Sequence, residues 1–350
     1  MTTRNHNKVL VIGGGIAGLT AALALNRLGI SVELLERSAA LGGQARRFCC
    51  KAADACQQCG ACMVNDALRA LSFAALAEAP PLQVRLETEL TEVNREAKEF
   101  LYRYRSPEGA GEGRAAALLI AAGFDPFRAE DKPQYGYGRF PNVLTGLDLE
   151  RQLQETGRIL RPSDGLPPQS LAFIQCVGSR DQHAGHPYCS QVCCGYALRL
   201  ANLLRHRRPE IDVTFFYMDI QTIGKEFPRF LEETRKRLHF IRSIPGDIRP
   251  AENDQLRLTF QPDDGSPSRQ QVFDLVVLSI GITPGKNLSA LVEPLELSLT
   301  PDGFLSKKGA AEGVFLAGAV SGPKSITRSV GQAHQAAEEI SRYLQEGGQG

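Results

Sequence analysis

The sequence holds no stretch near the roughly 20 continuous apolar residues that a membrane-spanning helix needs. Its opening residues, MTTRNHNK, run straight into an apolar strand rather than a secretory leader, so a cytoplasmic protein is expected. An excess of charge of either sign is also missing. Lys and Arg total 40 against 39 Asp and Glu, which leaves no strong field to point towards nucleic acid or an acidic surface. Short-period repeats are absent, which argues against a solenoid. What the chain does have is cysteine. Nine occur, five between Cys49 and Cys62 and four between Cys176 and Cys194. In a reducing compartment such clusters point to metal binding or redox chemistry rather than to structural disulfides.

A chain of 350 residues, 43% hydrophobic, can bury two ordinary cores. Lys8 to Ile12 is an apolar run ending in three glycines. Ile16 to Leu28 then carries apolar residues at helical spacing up to Gly29, and Ser31 to Leu35 is the next apolar run. Further strands are predicted at Ala117–Ala121, Leu171–Gln175, Val213–Tyr217, Leu256–Phe260 and Leu275–Ile280, with helices at Leu147–Gln154, Gln191–His206 and Ile326–Leu344. Such alternation predicts an α/β, doubly wound, mostly parallel sheet. Arg161–Pro168 and Asp263–Pro267 read as boundary loops. They give a discontinuous nucleotide domain, 1–160 with 268–350, interrupted by an inserted αβ lobe at 161–267.

Gly13, Gly15 and Gly18 form GxGxxG between the first strand and helix. The first glycine permits the turn, the second lets backbone approach a pyrophosphate, and the third lets helix and strand pack closely. Phosphate then meets the free N–H groups of the helix start, here Ile16, Ala17 and Gly18. Glu36, roughly 20 residues on, is placed to accept hydrogen bonds from ribose hydroxyls, with Arg37 beside it. NAD would fit these features equally well. Three later segments favour FAD, because they resemble the spaced signatures of two-dinucleotide-binding, thioredoxin-reductase-like flavoproteins. They are Gly42-Gly43-Gln44, the strand end at Ala122 and Gly123, and Val314–Ala319 with Gly318. Ala319 stands where an acidic residue usually meets the ribityl chain. Gly281, Lys324, Ser325, Ile326 and Gln332 complete the expected flavin contacts, the last ones on a helix whose N-terminal amides face the reduced ring. Lys324 is either a tuning charge on the isoalloxazine or a solvated loop lysine.

The inserted lobe should carry its own strand, turn and helix, yet it has no second GxGxxG. Cys176 stands at the strand end, and Cys189, Cys193 and Cys194 stand at the helix start. A spacing of four puts Cys189 and Cys193 on one face if the turn there is helical. Four thiolates at a helix N-terminus suit an iron–sulfur cluster. A structural zinc and ordinary buried cysteines remain alternatives.

The run Cys176-Val177-Gly178-Ser179-Arg180, then Tyr188-Cys189-Ser190 and Cys193-Cys194, resembles the HdrA family, the flavin subunit of heterodisulfide reductases and its relatives in bacterial sulfur metabolism. Gly13 to Gly18, Gly42-Gly43 and Gly322-Pro323-Lys324 fit the same family. The resemblance implies an FAD- and [4Fe–4S]-containing electron-transfer oxidoreductase subunit, with Cys176, Cys189, Cys193 and Cys194 as ligands. Partner subunits that handle thiols, disulfides and further clusters are implied too. The chain looks like the short form of sulfur oxidisers, because no full ferredoxin run of four cysteines is present. A homodimer is expected on general grounds.

Cys56, Cys59 and Cys62 read CxxCxxC beside Cys49 and Cys50, a set open to three readings: redox-active or buried thiols, a second cluster, or a structural site. A self-contained NAD(P)H-dependent disulfide reductase using Cys56 and Cys59 is the alternative function, and a zinc-holding scaffold is a third. His183 and His186 flank the second cluster as solvated residues or tuning contacts. Arg205–Arg208 reads as charge complementing a helix end, and Tyr135 and Tyr137 as a plain loop or a mobile surface loop over a partner or the flavin.

Overall fold

The computed structural model describes residues 8–74, 81–221, 224–286 and 288–347. The expectation about the first seven residues lies outside them. In chain order the main elements are β1 (Val9–Ile12), α1 (Ile16–Arg27), β2 (Val32–Leu35), α2 (Met63–Ala74), β3 (Leu82–Arg85), β4 (Glu89–Glu96), β5 (Glu99–Ser106), β6 (Gly109–Ala115) and β7 (Ala117–Ile120). There follow β8 (Val143–Thr145), α3 (Gly146–Thr156), β9 (Ser170–Val177), α4 (Cys193–Arg207), β10 (Asp212–Tyr217), α5 (Phe227–Arg235) and β11 (His239–Arg242). Last come β12 (Asp247–Pro250), β13 (Leu256–Phe260), β14 (Arg269–Phe273), β15 (Leu275–Ile280), β16 (Val314–Leu316) and α6 (Ile326–Gly347).

Two compact units result, one of residues 1–46, 60–125 and 284–350 and one of 47–59 and 126–283. The second unit is wider than the 161–267 expected. It takes in β8 and α3, because β8 pairs in parallel with β15 (Val276 opposite Val143) and so joins that unit's sheet. It also takes in the first cysteines through Cys59.

The first unit is built on a five-stranded parallel sheet, β16-β7-β1-β2-β3. Val9, Val11, Leu34 and Leu119 of this sheet pack with Leu19 and Ala22 of α1 and with Ala333 and Ile340 of α6. Small residues on both helices let them lie close. A three-stranded antiparallel ribbon, β4-β5-β6, is added to this unit. It buries Phe100, Tyr102 and Tyr104 on one side only. Lys8 and Arg85 both meet the buried carboxylate of Glu33, at 2.8 and 2.7 Å, and the Tyr102 hydroxyl donates to it at 2.5 Å.

The second unit repeats the theme with a parallel sheet, β11-β10-β9-β15-β8, and a small antiparallel sheet, β12-β13-β14. Leu198, Ala201 and Leu204 of α4 pack on Phe173, Phe215 and Val277. Helix α3 opens on a capping box in which Thr145 and Asp148 satisfy each other's amides, and closes on left-handed Gly157. No helix among the described residues is long and apolar enough to cross a membrane.

Candidate functional site

In the first unit the glycine turn has the sterics that a phosphate cradle requires. A Cβ on Gly18 would stand 1.9 Å from the Gly13 carbonyl oxygen, and one on Gly13 would stand 2.5 Å from that of Ala121. These two glycines let α1 and the ends of β1 and β7 close together. Gly15 differs, because a Cβ there would meet nothing within 4 Å. It borders open space at the amino end of α1, whose first amides lack intrahelical partners.

Glu36 is buried, and its two oxygens accept the backbone N–H of Gly14 at 2.6 Å and of Ser38 at 2.8 Å. Each carboxylate oxygen has a second lone pair, so the residue can hold the turn and still accept from a ribose. Arg37 lies 3.8 Å from Asp125. Gly42 forms an isolated bridge with Gly15, which brings the Gly42-Gly43-Gln44 turn to the glycine loop. Gln44 follows with a side-chain oxygen that is buried and accepts no hydrogen bond from the described residues. A donor on a bound cofactor would satisfy it, and nothing in the sequence pattern had singled out that atom.

Gly318 packs against Ala17, with a hypothetical Cβ only 2.8 Å from the alanine methyl, and its N–H donates to Gln332 Oε1 at 3.0 Å. Ala319 beside it is buried. Ser325 accepts the N–H of Arg328 at the start of α6, directly before Ile326. Lys324 is half-buried and hooked back on its own loop, donating to Ser321 Oγ at 3.0 Å and to the Gly322 carbonyl at 3.3 Å. Burial, and then the charge of Arg328, hold its pKa below the ordinary lysine value. At the end of β7, Ala122 is exposed and Gly123 has open space beside it. Gly281 falls in the second unit, pressed against Ser179 and Ser190.

In the second unit the cysteines gather where β9 ends. The strand loses register with β15 between Ile174 and Val177, and Cys176 within that irregularity adopts the left-handed conformation, φ 58°. The following loop then folds back on itself. Arg180 N–H donates to Tyr188 O at 2.8 Å, Asp181 and His186 exchange two backbone bonds, and Ser190 N–H donates to Ser179 Oγ at 2.9 Å. This closure returns Cys189 to the neighbourhood of Cys176 although 13 positions separate them. Helix α4 begins only at Cys193, so Cys189 sits in the turn before it and not on its face as expected.

The thiol of Cys193 points to the Ile280 carbonyl at 3.7 Å, and that of Cys194 to the Asp219 carbonyl at 4.0 Å. Burial pushes the Cys176 thiol up to about 12, assisted by Cys194 and Cys189. It raises Cys193 well above the ordinary thiol value and Cys194 above it. Each of these thiols therefore feels other cysteines of the set, a placement that composition alone would not produce. Arg180, ion-paired with Asp219 at 2.5 Å, supplies positive charge next to Cys176. Among the described residues no three His, Cys, Asp or Glu side chains are gathered around one point, as a single ion would need. A cluster asks for a wider set, because each thiolate takes a different iron.

His183 is exposed, whereas His186 stacks edge-on against Phe127 and Tyr188. Of the two readings of Tyr135 and Tyr137, the mobile loop does not hold, because the segment is packed. Tyr135 is buried with its hydroxyl on the Pro245 carbonyl at 3.3 Å, and Tyr137 donates to Asp148 at 2.9 Å. The basic run in the last turn of α4 reaches neighbouring carbonyls: Arg205 donates to Ile211 O and Arg207 to Gly157 O.

The CxxCxxC motif divides between the units, Cys56 and Cys59 in the second and Cys62 in the first. Arg199 of α4 lies half-buried over Phe227 and Phe230 and donates to Gln57 O at 2.7 Å, which pins the turn between Cys56 and Cys59. Cys49 is tied by its backbone N–H to Glu150 at 2.8 Å, and burial together with that carboxylate pushes its thiol up to about 12. Glu150 is also ion-paired with Lys51, both almost fully buried.

Residues 11–55 match the model of the NAD(P)-binding Rossmann-like domain. The chain is 38% identical over 251 residues to the A 2 iron–sulfur subunit of the CoB–CoM heterodisulfide reductase of Methanopyrus kandleri, covering 67% of this chain and 38% of that protein. It is 38% identical over 242 residues to the A subunit of the H2:CoB–CoM heterodisulfide, ferredoxin reductase of Methanothermobacter marburgensis, covering 65% and 36%. The A 1 iron–sulfur subunit of the Methanopyrus kandleri reductase aligns with 98% of the chain at 28% identity, over 65% of its own length. The chain thus spans well under half the length of the first two. Among solved structures it is similar to the thioredoxin reductases of Lactococcus lactis (TM-score 0.63, 17% identical, 97% and 99% covered) and T. acidophilum (0.63, 15%, 97% and 99%). At such identities the likeness concerns the fold alone.

Proposed function

We propose, with the homology of this chain to the A subunits of heterodisulfide reductases as the premise, that it is an electron-transfer flavoprotein subunit of a related complex. In this reading the first unit holds FAD and the second holds a [4Fe–4S] cluster on Cys176, Cys189, Cys193 and Cys194. The chain works in the cytoplasm as a homodimer, in sulfur oxidation, with subunits that handle thiols, disulfides and further clusters. When bound, FAD can exchange one or two electrons and the cluster one.

The residues supply binding and electrostatics. Gly15 and the amino end of α1 leave room and N–H groups for the diphosphate, Glu36 accepts from the ribose, and Gln44 Oε1 accepts from the flavin. Lys324 and the start of α6 offer positive charge to the ring. In the second unit Arg180 offsets the negative charge that four thiolates would bring, and the dipole of α4 does the same at Cys193 and Cys194.

One observation carries the reading: cysteines occupy the end of β9 and the start of α4, the place where a nicotinamide dinucleotide would need glycines. The deciding experiment is an anaerobic count of iron, sulfide and flavin per chain, with a redox titration. About four irons per flavin and a paramagnetic reduced cluster are expected. Fully active iron-free protein, or zinc without iron, would count against it. A self-contained NAD(P)H-dependent disulfide reductase is the second reading, favoured by the pinned Cys56–Cys59 turn on Arg199. Rapid stoichiometric flavin reduction by NADH would select it.

A further inference from the structure

We infer that the second unit carries a binding site for a small organic acid, in the cavity at the carboxyl ends of β8 and β15, with the acid group held by Arg47 and Arg128. The cavity has a volume of about 470 Å³, within the range of roughly 300–1,000 Å³ usual for sites that enclose a small ligand. Its position follows the rule for open parallel sheets. The lining includes Thr145, the last residue of β8, and Ile280, the last of β15, and ligands of open parallel sheets enter at the carboxyl ends of the strands.

The lining divides into an apolar part, Phe127, Leu147 and Ile280, and a cationic part, Arg47, Arg128 and Arg151. Arg151 is already engaged with Asp148 at 3.3 Å. The side chains of Arg47 and Arg128 have no hydrogen-bond or ion-pair partner among the described residues. Two unpaired guanidiniums converging on one concave surface favour an anion, and their planar forks suit a carboxylate. Of the two acidic residues in the lining, Asp148 is occupied. It accepts from the Thr145 N–H, the Thr145 hydroxyl and the Tyr137 hydroxyl at 2.9, 2.6 and 2.9 Å. Glu130 is the other, so three positive groups face two negative ones. Burial and Asp148 push the Tyr137 hydroxyl up to about 12, so it adds no negative charge near neutrality.

The apolar part sets the remainder of the ligand. Phe127 is buried and lies against Gly178, where a Cβ would clash with its ring. The carbonyl of Ile280 is the group that receives the Cys193 thiol. A ligand lying on Ile280 is therefore one residue away from the cysteine group. The site does not depend on the cofactor assignments above, since it is formed by protein atoms alone.

Calorimetric titration of the full chain with hexanoate tests the inference, with hexan-1-ol as the uncharged comparator and sulfate as the anion without an apolar part. Hexanoate should bind about tenfold or more tightly than either, as charge-assisted hydrogen bonds imply. Arg47→Gln and Arg128→Gln should each weaken it about tenfold, whereas Arg229→Gln, on α5 and outside the cavity, should leave it unchanged. Raising the salt concentration should weaken hexanoate binding to the unaltered chain, a measurement that needs no variant. Absence of hexanoate binding, equal binding of hexan-1-ol or sulfate, or affinity unchanged in both arginine variants would overturn it.

Discussion

At the scale of single residues, the three glycines of the first turn separate folding from binding. Gly18→Ala brings a methyl within 1.9 Å of a backbone oxygen and should leave little soluble protein. Gly15→Ala adds a methyl to open space in an extended conformation. It should cost well under about 1 kcal/mol of stability yet lower flavin occupancy, which absorbance per chain would read. The spacing alone exposed the motif but not this division, because clashes depend on what the rest of the chain brings near. Glu33 makes the same point. Burial opposes its charge, but hydrogen bonds from Lys8, Tyr102 and Arg85 win and hold its carboxyl below the ordinary 4.5. A depressed carboxyl contributes stability above the unfolded value and loses it as pH falls. The melting temperature should therefore drop as pH is lowered below about 5, and Glu33→Gln should flatten that slope while lowering stability at pH 7 by about 3 kcal/mol. No pattern in the sequence links residues 8, 33, 85 and 102.

At the scale of elements, the central parallel strands were legible because each is a short apolar run buried on both faces, as in Leu275–Ile280, where every residue is buried, whereas the edge strands β3 and β11, half-exposed, and β8, three residues long, were not. The ribbon β4-β5-β6 escaped notice. Its inward set of Phe100, Tyr102 and Tyr104 alternates with Arg103 and Arg105, and β6 is rich in glycine, so it resembles a polar loop. The spacing predicts α4 from Gln191, but the helix starts at Cys193. In fact Gln191 is left-handed, φ 60°, which ends the preceding turn. The segment 47–59 has almost no regular structure, and its attachment to α3 runs through the buried Glu150, which takes both the Lys51 ammonium and the Cys49 N–H. Glu150→Ala leaves a buried ammonium without a counter-charge and should destabilise by about 3–5 kcal/mol. Limited proteolysis should then cut within 47–59 before any other part of the second unit.

At the scale of the whole molecule, the two-unit plan was legible in the order of strands and helices, and the boundary was not. Strand β8 lies before the Arg161–Pro168 loop in sequence, yet it pairs with a strand that follows Asp263–Pro267. A linear reading cuts at loops, whereas the sheet recruits across them. Because the cysteines and the glycine turn belong to different units, their occupants should be separable: Cys193→Ser should lose iron and retain flavin, as metal analysis beside absorbance would show. Cys176 adds a further consequence. A sulfur-bearing residue is held in a backbone conformation that glycine adopts without penalty and other residues adopt at about 1–2 kcal/mol. Cys176→Gly should therefore raise the denaturation midpoint of the metal-free chain, by up to about 1 kcal/mol, while abolishing cluster assembly. Selection for thermostability alone would therefore favour glycine at this position and remove the sulfur atom from the loop.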